Sequence, residues 1–247
     1  KTRYIAGGQQ MMRTDDETIA LIQKETKQRI LKLIDSAFNN YNILVIADYA
    51  KGVLTPELTK QLITLAKKAR IPVIVDPQGN NYKFYKGVDI VTPNRKELSL
   101  ATGMPANNDK QIRLAANKLI SEHNIKSILA TRSGDGMTLI NSTSFNTYKA
   151  EAQEIFDVSG AGDTVVATIS ASLSAGIDLK QAVQLANISA GIVVAKTGTA
   201  VAYANDIVGA LGKRKSENKE IKILSTKLAA DRAKVWRSQK FKIGFTN

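Results

Sequence analysis

The heptad Asp157-Val158-Ser159-Gly160-Ala161-Gly162-Asp163 stands directly before Thr164 to Leu173, an apolar, alanine-rich segment whose length predicts a helix. Small residues at 159 to 162 allow several backbone N–H groups to turn toward one point at that helix's N-terminus. Such a point attracts anions, because unpaired amides and the helix dipole both favour negative charge there. Asp163 at the same point would repel a phosphate. Its presence makes sense if the carboxylate takes a proton from a hydroxyl that then attacks a phosphoryl group. A glycine-containing turn capped by an Asp is the plainer reading, and by themselves the residues leave both open.

Around the heptad, β-branched apolar runs alternate with amphipathic stretches, the pattern of a parallel sheet flanked by helices. Asp16 to Phe38 reads as a helix and Ile43 to Ala47 as a buried strand, after which Pro56 opens a helix through Lys68. Pro72 to Val75 and Asp89 to Thr92 read as two further strands, followed by Asp76-Pro77 and Pro93-Asn94. Lys110 to Glu122 is predicted helical and Lys126 to Thr131 a strand, with Met137 to Ile140 and Phe145 to Ala150 an antiparallel addition. Two alanine-rich helices follow, near 164–175 and 179–196. The fold class expected is α/β, with a mostly parallel central sheet flanked by helices. In the first three strand–helix units the polar, Pro and Gly residues gather just after the strand, where open α/β sheets place their ligand sites.

Composition narrows the function classes. A chain of 247 residues with 43% apolar content can bury a sizeable core. With no Cys, disulfides and thiolate metal sites are excluded, which fits a reducing compartment. No apolar run is long enough to span a membrane and no signal-peptide pattern opens the chain, so a cytoplasmic protein with no membrane partner is expected. The net charge of +13 is uneven: residues 211–247 carry +8, leaving +5 for the first 210. That basic tail has no aromatic interleaving for stacking on bases, so it reads as a solvated linker and helix face and not as a nucleic-acid site.

Three more segments carry candidate chemistry. In Thr92-Pro93-Asn94-Arg95-Lys96-Glu97, Asn94 caps the next helix and Glu97 falls at the capping-box position. Thr131-Arg132-Ser133-Gly134-Asp135-Gly136 reads as a turn between strands. Ala47-Asp48-Tyr49-Ala50-Lys51-Gly52-Val53-Leu54 puts an acid, a phenol and an ammonium at a strand's ligand edge. The lone His123 is expected as an exposed helix-terminal residue.

The heptad resembles the second signature of the ribokinase (PfkB) family of sugar kinases, and Asn94-x-x-Glu97 lies in the order that family has it. The resemblance implies a ribokinase-like fold, with Asp163 as catalytic base and the amides of Gly160, Ala161 and Gly162 as an anion hole. It implies ATP and Mg2+ as cofactors, and leaves a monovalent cation open. Asn94, Arg95, Lys96 and Glu97 would serve the nucleotide side, with Asn94 and Glu97 holding the metal through water, as suits a hard cation that keeps much of its hydration. Thr131, Ser133 and Gly136 would run along the nucleotide, although Ser133 replaces a Gly usual in the family. Asn187 lies on a helix that the family packs beside the adenine; capping a neighbouring loop is the other reading of that residue.

Asp48-Tyr49-Ala50-Lys51-Gly52, Asp76-Pro77-x-Gly79, Thr92-Pro93-Asn94 and Gln9-Gln10-x-x-Arg13-x-Asp15 together resemble the D-glycero-β-D-manno-heptose-7-phosphate kinase branch, with Gln78 where Lys is expected. That likeness implies phosphorylation at O1, within ADP-heptose biosynthesis for the lipopolysaccharide core. Arg3, Gln10, Arg13, Asp48, Tyr49 and Lys51 become candidate sugar-phosphate contacts, and a homodimer is implied. Another ribokinase-like sugar kinase, or a non-catalytic nucleotide-binding fragment, stands as the alternative. By the same likeness, residues 1–210 form the kinase domain without its N-terminal section. Residues 211–240 would be a basic linker and helix, and 241–247 the first strand of a truncated cytidylyltransferase-like domain. Lys1 is not an initiator Met, and the chain reads as cut at both ends.

Overall fold

The computed structural model describes residues 2–7, 9–151, 156–196, 198 and 200–217. By its internal contacts the chain divides into two units, 1–203 and 204–247. The first unit opens with a hairpin of β1 (Thr2–Ala6) and β2 (Gln9–Thr14), in which Arg3 lies opposite Arg13. Helix α1 (Lys24–Ala37) follows, then strand β3 (Leu44–Ala47) and helix α2 (Pro56–Lys68). Strand β4 (Val73–Asp76) leads through a 3-10 helix at Tyr82–Tyr85 to β5 (Ile90–Val91). Helices α3 (Arg95–Thr102) and α4 (Asp109–His123) precede β6 (Ser127–Thr131), β7 (Met137–Asn141) and β8 (Phe145–Tyr148). Helices α5 (Ala161–Ser174) and α6 (Leu179–Val194) complete the unit.

The six-stranded sheet runs β3-β4-β5-β6-β7-β8, parallel from β3 to β6 and antiparallel thereafter. Its inner strands are apolar without interruption because both faces are covered, which is what a parallel sheet between helices requires. Alternation then decides which layer each side chain joins. Val73 and Val75 of β4, with Ile128 and Ala130 of β6, pack with Leu58 of α2 and Ile112 and Leu119 of α4. Ile74, Ile90 and Leu129 turn the other way, onto Val165 and Ile169 of α5 and Val183 of α6.

The helix expected from Asp16 begins only at Lys24. In place of that helix's first turns, Ile22 N–H donates to the Gly52 carbonyl in the loop after β3 at 3.2 Å. Gly52 has φ +92, and a Cβ there would lie 2.1 Å from the Ala20 carbonyl oxygen, so only glycine lets the two segments meet. Helix α5 starts three residues before Thr164, so Ala161 and Gly162 form its first turn. His123, expected on the surface, is half-buried beside the 3-10 helix. In the second unit, residues 204–217 form helix α7 (Ala204–Glu217), so the linker expected from 211 is helical as far as Glu217. The remainder of the linker and helix expected to 240, and the strand expected at 241–247, lie outside the described residues.

Candidate active site

Four parallel strands end along one edge, and their last residues supply the site. Ala47 lies opposite Asp76 in register, which sets Asp48 and Asp76 side by side, with Asp48 N–H bonded to the Asp76 carbonyl at 2.9 Å. Asn94, just beyond β5, bridges to Thr131 at the end of β6. These ends surround a cavity of about 160 Å³, which Gly162 of α5 closes from the other side. Of the residues expected from the sequence, Asp48, Tyr49, Asn94, Glu97, Thr131 and Gly162 meet at this cavity.

Each polar wall is held by a local device. Asp48 accepts from Ala50 N–H at 2.7 Å through Oδ1 and from the Tyr85 hydroxyl at 2.6 Å through Oδ2. Asp76 accepts from the Thr92 hydroxyl at 2.9 Å. Burial raises the Asp76 carboxyl above its ordinary value; Thr92 opposes the shift and the charge of Asp163 adds to it. Glu97 is also raised, first by burial, with the Asp76 charge contributing against the bond from Asn94 N–H. Asp163 thus acts on Asp76 and Asp76 on Glu97, while among the described residues no three acidic or imidazole groups stand close enough to hold a metal ion directly.

Asn94 and Glu97 form a complete capping box at the start of α3. Glu97 N–H donates to Asn94 Oδ1 at 2.9 Å and Asn94 N–H to Glu97 Oε2 at 2.8 Å. This box occupies one oxygen of each side chain and leaves Glu97 Oε1 and the Asn94 amide group for other partners. Glu97 Oε1 and the second lone pair of Asn94 Oδ1 can accept from the waters of a hard divalent ion, whereas the Asn94 NH2 group can only donate. Arg95 reaches from α3 to an ion pair with Asp135, linking that helix to the 131–136 turn, and Lys96 is exposed.

The loop before α5 is shaped by its own residues. Asp157 Oδ1 accepts from Ser159 N–H at 2.8 Å, and Gly160 takes φ +79 as the N-cap. Ser159 holds the Asp157 carboxyl below its ordinary value, and the nearby Arg3 guanidinium adds to this. The first intrahelical bond runs from Thr164 N–H to the Gly160 carbonyl at 2.9 Å. Ala161 N–H turns back to the Val158 carbonyl at 3.3 Å, so the anion hole expected at 160–162 loses that donor. The amides of Gly160, Gly162 and Asp163 take no backbone partner among the described residues. Asp163 stands exposed in the first turn of α5, near enough to Asp76 to act on its titration.

The remaining expected residues stand apart from the cavity. Lys51 pairs with Glu17, and Arg13 with Asp15 at 3.0 Å. Gln10 lies opposite Ile5 in the hairpin. Ser133 and Gly136 belong to the 3-10 turn after β6. A Cβ on Gly136 would lie 2.0 Å from the Tyr148 carbonyl oxygen, which explains the glycine. Asn187 is buried in α6 and gives its amide to the Lys149 carbonyl at 2.6 Å, the loop-tying role.

Sequence reasoning missed Asp76, Thr92 and the pair Tyr82 and Tyr85 as site residues. Asp76 ends the second parallel strand as Asp48 ends the first, a signal that was present. The tyrosines carried none, because a short 3-10 helix between two strands has no periodicity to expose it. Tyr82 is 1% exposed, and its hydroxyl has no hydrogen-bond partner among the described residues. Burial raises its pKa strongly, with the Glu97 and Asp76 charges adding.

Comparison with known proteins places this arrangement. The model of the pfkB family of carbohydrate kinases matches residues 6–205. The chain belongs to that family. It is 44% identical over 248 residues to the bifunctional protein HldE of Paramagnetospirillum magneticum, covering all of this chain and 51% of that protein. To the HldE of Rhodospirillum rubrum it is 43% identical, covering all of this chain and 50% of that protein. The chain therefore spans about half the length of the curated relatives it matches. Among solved structures, Escherichia coli phosphofructokinase-2 in complex with potassium aligns with TM-score 0.69 and 20% identity over 78% of this chain and 63% of that one. Arabidopsis thaliana ribokinase with ribose and ATP aligns with TM-score 0.65 and 22% identity over 77% of this chain and 60% of that one. These likenesses show a ribokinase-like fold.

Proposed function

We propose that this chain carries the kinase activity that transfers the γ-phosphoryl group of ATP to O1 of D-glycero-β-D-manno-heptose 7-phosphate, giving the 1,7-bisphosphate and ADP. One observation carries the reading: the start of α5 lines the same cavity as Asp76, Asn94 and Glu97 through Gly162, and the next residue, Asp163, lies outside that lining but close enough to act on Asp76. Asp163 takes the proton of the anomeric hydroxyl, and that oxygen attacks the γ-phosphorus as ADP leaves. The amides of Gly160 and Gly162, which take no backbone partner among the described residues, stabilise the charge that gathers on the transferring group. Asn94 and Glu97 hold Mg2+ through water, and the ion when bound offsets triphosphate charge.

The sugar assignment rests on the Asp48-to-Gly52 and Asp76-to-Gly79 segments and on the HldE relatives. Asp48 and Tyr49 take sugar hydroxyls at the cavity. Arg3, Gln10, Arg13 and Lys51 serve the 7-phosphate end, which requires Lys51 and Arg13 to exchange their present carboxylate partners for the ligand. On this reading the protein works as a cytoplasmic homodimer, with residues 1–210 its kinase domain and a monovalent cation as activator. Among the described residues, no helix is long and apolar enough to cross a membrane.

The test is ADP release with heptose 7-phosphate set against fructose phosphates, comparing the protein with its Asp163→Asn variant. The expected result is turnover with the heptose that falls by about 10²–10⁴-fold in the variant, while ATP binding persists. Turnover only with a fructose phosphate would reassign the sugar. Turnover unaffected by the substitution would remove Asp163 from the mechanism, and ATP binding without any turnover would favour a non-catalytic role.

A further inference from the structure

A second cavity, of about 500 Å³, shares no lining residue with the strand-end site and is walled by Lys60, Lys67, Lys83 and Lys86. Lys60 and Lys67 lie seven residues apart on α2, two turns along one face. Lys83 belongs to the 3-10 helix and Lys86 follows it. No carboxylate lines the cavity, and none of these lysines takes part in an ion pair among the described residues. Ile63 and Phe84 supply an apolar side.

The four lysines are exposed, and two details tie three of them to the wall beside the end of α4. The Lys67 ammonium lies against Gly87, where an added Cβ would come within 2.2 Å of Nζ. Gly87 in turn ties the 3-10 segment to the end of α4, donating to the His123 carbonyl at 2.8 Å. His123, half-buried there, has its imidazole pushed below its ordinary value, first by burial; Glu122 opposes this and Lys83 and Lys86 add to it. One lysine at the C-terminal turn of α2 answers the helix dipole. Four around one concavity leave a surplus of positive charge against an apolar wall, where fields are focused and not dispersed.

We propose that this cavity is a binding site for a small soluble anion bearing two or more phosphoryl groups, separate from the kinase site. Ammonium groups on flexible stems bind phosphates as point charges, and several converging on one cavity suit a ligand with several charges. The volume falls within the range of small-molecule sites. Ile63 and Phe84 contact the uncharged part of such a ligand. The 3-10 helix that presents Lys83 and Lys86 here also carries Tyr85, which holds Asp48 in the other cavity.

The chain's single histidine makes the site observable. The His123 imidazole is titrated by NMR with increasing inorganic tripolyphosphate, and separately with sodium chloride at matched ionic strength. Tripolyphosphate is expected to raise the imidazole pKa saturably by about half a unit, well beyond the effect of chloride. The response is lost, or needs at least about tenfold more ligand, in Lys83→Ala/Lys86→Ala and in Lys60→Ala/Lys67→Ala. The second pair lies on α2 and leaves in place Lys83 and Lys86, the two lysines whose charges act on the His123 imidazole. A response no larger than that of chloride, or one retained in either double variant, would overturn the proposal.

Discussion

The Tyr85 hydroxyl donates to Oδ2 of Asp48 at 2.6 Å, joining a 3-10 helix after β4 to the end of β3. Tyr85 is almost fully buried, and the other oxygen of Asp48 is taken by Ala50 N–H, so the carboxylate is fixed in direction before any sugar arrives. Tyr85→Phe leaves one carboxylate oxygen without its donor. The variant is expected to lose about 1–2 kcal/mol of stability by urea unfolding. Its KM for the sugar phosphate should rise while kcat changes little, because a loosened Asp48 weakens ground-state and transition-state binding alike. Lower stability with an unchanged KM would make Tyr85 a purely structural support.

The capping box at α3 allows structural and chemical roles to be separated. Asn94→Ala removes the side chain that accepts Glu97 N–H and is expected to cost about 1 kcal/mol. In Glu97→Gln the amide oxygen can still accept Asn94 N–H, so stability should stay within about 0.5 kcal/mol of the parent. What this second variant loses is charge, and the Mg2+ concentration for half-maximal activity should rise. An unchanged Mg2+ requirement would reduce Glu97 to a helix cap.

How far the sequence carried depends on the kind of signal. Continuous apolar runs such as Ile43 to Ala47 and Pro72 to Val75 marked strands buried on both faces, and the Asp157–Asp163 heptad marked a helix start, because both are local patterns. The helix expected from Asp16 failed because residues 15–23 are held by a partner distant in sequence, the loop at Gly52. Asp48, Asn94, Glu97 and Thr131 were legible as polar residues after strands. That Arg13 and Lys51 would face Asp15 and Glu17 was not, because ion pairing depends on folded distances that no spacing encodes.

Acid should favour the fold at this site. Burial raises the Asp76 carboxyl, with the Asp163 charge adding, and Glu97 is raised for the same first reason. A carboxyl with a raised pKa in the folded state holds a proton that the unfolded chain has already released. Its contribution is fully present below the ordinary carboxylate value near 4 and is lost as pH rises through the folded value. Asp76→Asn keeps an acceptor for the Thr92 hydroxyl and has no charge to bury. Relative to the parent, the variant should gain stability between about pH 4 and pH 7, read from urea midpoints at both ends. A difference that stays constant across that range would show that Asp76 titrates alike in both states.

Two positions with positive φ should respond in opposite directions. Gly160 caps α5 at φ +79, and Ser133 sits at φ +52 in the turn after β6, where the family resemblance expects glycine. An L side chain in this region is strained by about 1–2 kcal/mol. Gly160→Ala should therefore destabilise by about that amount, and it should weaken nucleotide turnover, because the unpaired amides at the start of α5 depend on this cap. Ser133→Gly relieves the strain but adds freedom to the unfolded chain, for a net gain of about 0.5–1 kcal/mol. Thermal unfolding of both variants checks the pair. A destabilised Ser133→Gly would mean that the serine side chain contributes more to the turn than its backbone strain costs.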